Sequence, residues 1–192
     1  MRIRVGSSGA RRVAARAVVT MALLFAIVAA VVACSPSDGA SVTYPVGSIG
    51  PDRTVSPAVG LTRGQIAAAL GDQSLVLTDT ESPYRPPESA MLATAPRAVY
   101  QVTLPNDPQG GYIVVYEFTD ASQAAMAAAE QQAYLATGPG RVQSPLGTVH
   151  FIRQVGPTVV YYSWLPGNGD DAGGKAIQAA LETLGVGYVV PS

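Results

Sequence analysis

Reactive side-chain types are scarce in this chain, whose 192 residues include one cysteine, Cys34, and one histidine, His150. Zinc and copper centres are assembled from several imidazoles and thiolates, so a site of that kind is excluded. A serine hydrolase would need His150 as its base. That residue sits inside the strand-like run TVHFIRQ, and no G-x-S-x-G elbow exposes a nucleophile. A half-buried structural histidine is expected instead. The close acidic groupings are Asp170-Asp171 and Asp79 with Glu81. The first precedes a helical stretch, where carboxylates cap free N–H groups and oppose the helix dipole without any catalysis. The surrounding GNGDD lacks the alternating oxygen ligands and closing glutamate of a calcium loop. Gly138-Pro139-Gly140 has neither the spacing nor the lysine of a phosphate cradle. Glu117 could donate a proton, but no second carboxylate is patterned to work with it. From this shortage the chain is expected to be no enzyme and to use neither cofactor nor metal.

Chemistry of another kind is written around Cys34. Arg2, Arg4, Arg11, Arg12 and Arg16 precede an uncharged apolar run, Ala17 to Ala33. At 17 residues this run is shorter than the roughly 20 that span a bilayer core comfortably, as in the central region of an export signal. It ends in Val31-Val32-Ala33-Cys34, which resembles the lipobox of bacterial lipoproteins. The resemblance covers residues 1–34 only. It implies that the Cys34 thiol receives a diacylglycerol, that the chain is cut after Ala33, and that the new amine is often acylated too. A thiol is the strongest soft nucleophile available to such a transferase. Two or three acyl chains, at about 0.8 kcal/mol per buried methylene, would hold the protein on a cell membrane or outer membrane. The expected location is therefore extracytoplasmic and lipid-anchored. A single cysteine leaves no thiol for an internal disulfide, so the core must carry stability unaided.

Removing residues 1–33 leaves seven basic against thirteen acidic residues, a net charge of −6. Nucleic acid and anionic lipid surfaces, which require clustered lysine and arginine, are excluded as partners. The membrane is expected to be met through lipid on Cys34 alone. Residues 34–57 follow as lipidated cysteine and a Ser-, Pro- and Gly-rich tether, with a reach of roughly 25 Å as flexible coil. Residues 58–192 suit a single domain.

Within that domain, Thr62 and Gln65 have the spacing of a capping box, which predicts a short helix over 63–70 stopped by Gly71. A brief strand is expected over 74–78. Four prolines between Ser82 and Pro96 rule out a regular helix and predict a long loop. Residues 97–104 and 111–118 are β-branched and aromatic runs around PNDPQG, a hairpin pattern, and Asp120 caps a helix to about Ala136. The order repeats: 148–154 and 158–165 flank Val155-Gly156-Pro157, a helix follows the GNGDDAGG loop, and a last strand spans 186–190. Two tandem strand-strand-helix units predict an α+β fold, an antiparallel sheet with helices on one face.

In residues 111–118, Tyr112, Val114, Tyr116 and Phe118 share one side, and Tyr162 and Trp164 occupy matching places in the later strand. If helices cover one face only, the other must be covered by the proline loop or by a partner, or stay exposed. Tyrosine and tryptophan suit binding surfaces because they bury area while keeping a polar tip wet. They fill cores as readily. The expected role is a non-catalytic domain that binds an envelope protein or serves as an accessory subunit, through Tyr112, Tyr116, Phe118, Tyr162 and Trp164 or through the proline loop. A carrier or sensor of a small apolar molecule, held in room left by the alanines of 121–136, is the alternative, and an enzyme of unrecognised type is the third reading.

Overall fold

The computed structural model describes residues 55–191. The export segment, Cys34 and most of the tether lie outside the described residues. The chain forms α1 (Pro57–Gly71), β1 (Leu77–Asp79), α2 (Ala90–Thr94), β2 (Arg97–Val102), β3 (Tyr112–Glu117), α3 (Ala121–Ala136), α4 (Gly138–Arg141), β4 (Val149–Val155), β5 (Thr158–Trp164), α5 (Asp171–Glu182) and β6 (Val186–Val189). All six strands join one sheet in the order β1-β2-β3-β5-β4-β6, every neighbouring pair antiparallel. The α+β class and the antiparallel sheet are those expected.

The helices, by contrast, cover both faces rather than one. Val59, Ile66 and Leu70 of α1 and Ile177 and Leu181 of α5 pack with Tyr100, Ile113, Val115, Val160 and Tyr162 on the first face. Ala124, Ala127, Ala128 and Leu135 of α3 and Leu92 of α2 pack with Val114, Tyr116, Ile152, Val159 and Tyr161 on the second. The connectivity supplies the reason. β3 runs parallel to β4 and β5 parallel to β6, so α3 and α5 each bridge two parallel strands and step over one strand between them. Both steps go toward the same edge, but β3 and β5 point in opposite directions. Crossovers of the same, right-handed sense must then lie on opposite faces. α3 leaves its own hairpin to lie over β4, β5 and β6, whereas α5 crosses β4 of the hairpin that precedes it.

α1 also starts earlier than the capping-box pattern indicates. Ser56 is its N-cap, accepting from the Val59 N–H at 3.2 Å, and Pro57 stands in the first turn, where its missing N–H costs nothing. Thr62, released from capping, ties α1 to β5 instead, with its hydroxyl 2.8 Å from that of Thr158 and both residues buried. The cap expected at Asp120 is present, with Asp120 Oδ1 accepting from the Gln123 N–H at 2.9 Å.

The second face is divided between two covers. α3 lies over β4, β5 and β6. Over β2 and β3 lies the proline segment, which contains the short helix α2 that the proline count argues against. Glu88 holds this segment down. Its side chain is 3% exposed and accepts from Arg85 Nε at 2.6 Å, Arg97 Nη1 at 2.7 Å and the Tyr116 hydroxyl at 2.8 Å. Burial first, and then the Glu88 charge, raise the Tyr116 pKa well above the ordinary phenol range, so the phenol remains a donor. Gln131 of α3, fully buried, donates to the Pro87 carbonyl at 2.7 Å and accepts from the Ser89 N–H at 2.6 Å. Backbone that proline keeps out of a helix is thus satisfied by side chains.

Replacing Glu88 with alanine strands the Arg97 guanidinium, 13% exposed, together with the Tyr116 hydroxyl. We expect Glu88→Ala to lower stability by about 3–5 kcal/mol, the cost of breaking a buried ionic cluster. Asp79→Asn in the Arg63–Asp79 pair, whose aspartate is 73% exposed, should cost less than about 1 kcal/mol. Urea unfolding followed by circular dichroism compares the two.

Candidate functional site

With both faces covered, aromatic side chains reach an opening where β3 begins and β5 ends. Tyr112 and Ser163 lie at adjacent ends of this strand pair, one step beyond the Ile113–Tyr162 register. On the second face the Tyr112 ring stacks on Tyr84 of the proline segment, centroids 4.5 Å apart and planes 12° from parallel. The Tyr84 hydroxyl is 3.4 Å from Ser163 Oγ. Burial raises the Tyr84 pKa, partly opposed by that hydrogen bond. On the first face stand Tyr162 and Trp164. Trp164 Nε1 donates to Gln178 Oε1 of α5 at 3.2 Å.

Between these rings lies a cavity of about 390 Å³, walled by the β2–β3 loop and the β5–α5 loop. The two loops touch through Asn168 Nδ2, which donates to Asp107 Oδ2 at 3.2 Å. Asp170 on the same wall caps α5, accepting from the Gly173 N–H at 2.9 Å, and Asp171 accepts from the Gly167 N–H at 2.7 Å. Of this acidic pair Asp170 has the capping role expected, whereas Asp171, in the first turn of α5, holds the preceding loop. Gly174 lets the indole approach: a Cβ there would lie 2.6 Å from the Trp164 ring. Gly111 begins β3 at φ +75°, where a side chain would meet the Val102 carbonyl.

Tyr162 is fully buried, lines the cavity, and its hydroxyl has no hydrogen-bond partner among the described residues. Its pKa is raised, first by burial and then by the negative charge of Asp107, with Tyr84 and Asp170 adding to it. Among the described residues no lysine or arginine lines this cavity.

Of the five aromatic residues singled out from the sequence, Tyr112, Tyr162 and Trp164 come together here. Tyr116 does not. It is fully buried beneath the proline segment and hydrogen-bonded to Glu88, so it presents no surface to a partner. Tyr162 likewise has no exposed surface, although it lines the cavity. Phe118, half-buried, borders a separate groove with Met91 and Thr94 at the other end of β3. Tyr84, Asp107, Asn168 and Gly174 were missed, because loops that lie far apart in sequence meet here only through the sheet.

The remaining chemical candidates hold structural places. His150 is half-buried with Nδ1 2.7 Å from the Tyr161 hydroxyl, and burial lowers its pKa. Neither serine nor aspartate is among its hydrogen-bond partners. Asp79 is held by Arg63 Nε and Nη2 at 3.0 and 2.8 Å. Among the described residues no group of three His, Cys, Asp or Glu side chains could hold a metal ion, and no helix is long and apolar enough to cross a membrane. The alanines of α3 leave no room for a ligand. Those that face the sheet, Ala124, Ala127 and Ala128, are fully buried, and the space is filled by Tyr116, Ile152 and Tyr161 across from them.

No protein-family model, curated protein or solved structure matches the chain.

Glycine-to-alanine changes separate the helices by sign. Gly64→Ala in α1, with nothing within 4 Å of the new methyl, should stabilise by about 0.5–1 kcal/mol. Gly174→Ala should instead destabilise by about 1–3 kcal/mol by driving into the indole. Urea midpoints test the sign, and the emission of Trp164, the only tryptophan in the chain, should shift in Gly174→Ala alone.

Proposed function

We infer that this chain is an exported, lipid-anchored binding protein without catalytic activity, whose folded domain presents the sheet-end cavity to a ligand or envelope partner. The observation that carries this inference is the convergence of a stacked tyrosine pair, the single tryptophan and a buried phenol without a partner around one opening. Rings supply contact area and the loop polar groups supply orientation, the usual make-up of a recognition pocket. Anchoring through Cys34 is supported by the arginine-rich start, the apolar run and the Val-Val-Ala-Cys box. Lipid on that sulfur, with a tether after it, would hold the cavity near the membrane surface.

A second role, carriage of a small apolar molecule, is favoured by another observation. A cavity of about 320 Å³ is lined by Leu135, Leu146, Val149, His150 and Val190, and Leu146 beside it is 92% exposed. That cavity opens beyond the end of α3, not under it.

Two measurements test the main proposal. Cys34→Ala should move the protein from the membrane to the soluble fraction and abolish the lipid-sized mass on the processed terminus. Equally firm membrane association in the variant contradicts the anchor. Separately, the host's soluble envelope fraction should change Trp164 emission of the soluble variant, reversibly on dialysis. Emission indifferent to every fraction contradicts the cavity as a binding site.

A further inference from the structure

The sheet-end cavity has a sign as well as a shape. Two carboxylates, Asp107 and Asp170, border it, and among the described residues neither is in an ion pair. Asp107 accepts from the Asn168 amide and Asp170 from a backbone N–H. Four arginines are engaged elsewhere: Arg63 with Asp79, Arg85 and Arg97 with Glu88, and Arg153 with the carbonyls of Glu182, Leu184 and Gly185 at the end of α5. A neutral ligand that displaced water from this cavity would leave two carboxylates less well solvated and uncompensated. A cationic one would neutralise them.

The aromatic side chains point to the same charge. Ring faces carry negative potential and attract cations within about 6 Å of the centroid, tryptophan most strongly. Tyr84, Tyr112 and Trp164 border the cavity together with the carboxylates. Tyr162 lines the cavity as well, and its buried hydroxyl has no hydrogen-bond partner among the described residues.

We propose that the cavity binds a small organic cation, an ammonium, quaternary ammonium or guanidinium compound, between Trp164 and the Tyr84–Tyr112 stack with its charge toward Asp107 and Asp170. The proposal rests on the reading of this cavity as the binding site. Asp107 takes the long-range part, since it sits on a loop with the Asn168 amide as its hydrogen-bond donor, whereas Asp170 also caps α5.

The test uses the full-length lipidated protein in detergent, with Trp164 emission as the signal. Choline, putrescine and arginine methyl ester are titrated beside 3,3-dimethylbutan-1-ol, the neutral counterpart of choline, and maltose. At least one cation should give a saturable change, with the neutral alcohol about tenfold weaker or more than choline if choline is that cation. Asp107→Asn should weaken cation binding about tenfold while leaving the urea midpoint unchanged, and added salt should weaken it further. Equal binding of the neutral alcohol or the sugar, or indifference to Asp107→Asn, overturns the cationic ligand and leaves the cavity as a binding site. Emission that responds to the envelope fraction but to none of the three cations overturns it as well. Emission that responds to neither removes the binding site itself.

Discussion

The structure depends on a constraint set by its two middle strands. β3 and β5 are apolar on both sides: Ile113, Val114, Val115 and Tyr116 in one, and Val159, Val160, Tyr161 and Tyr162 in the other, all have no exposed surface. A sheet of this kind cannot leave a face to water, as an amphipathic antiparallel sheet does. Two helices on the first face and α3 on the second provide most of the cover. The region of β2 and β3 that α3 does not reach is closed by proline-rich chain, which cannot satisfy its own backbone as a helix would. Glu88 and Gln131 exist to solve that problem, one tying the segment to Arg97 and Tyr116, the other supplying the partners that Pro87 and Ser89 lack.

Much of this was legible in the residues. Period-two runs of Val, Ile, Tyr and Phe located four long strands to within a residue or two, and Asp120 and Asp170 marked helix starts by their capping chemistry. What the local pattern could not carry was the side of the sheet each helix would take. That is a property of strand direction and crossover hand, and it appears only once β3 and β5 are known to be neighbours. The alanines of α3 were misread for a similar reason. Small residues on a helix leave space only if the facing strands do not fill it, and here tyrosines and isoleucine do.

The site was half legible. Tyr112, Tyr162 and Trp164 stood out by type, but the register of β3 with β5 puts Tyr112 on one face and the other two on the opposite one. A surface shared by all five aromatics was therefore never available, and Tyr116 went into the core. Three of them meet because a sheet end is the one place where both faces adjoin. Asp107 and Asn168 read as ordinary turn residues, being 61 positions apart, and Tyr84 as part of a proline loop. Only the register of β3 with β5 brings their loops to the same opening. The sheet faces are spent on stability, and the recognition proposed for this domain falls at the ends of the strands.

A spectrophotometric titration of the phenols tests the burial of both faces most directly. The chain has nine tyrosines, and Tyr100, Tyr116, Tyr161 and Tyr162 are 3% exposed or less. Burial raises the pKa of each of the four. These four should ionise only in a cooperative step that coincides with alkaline unfolding. Ionisation of all nine tyrosines in a single non-cooperative wave, with the fold intact, would contradict a sheet covered on both sides.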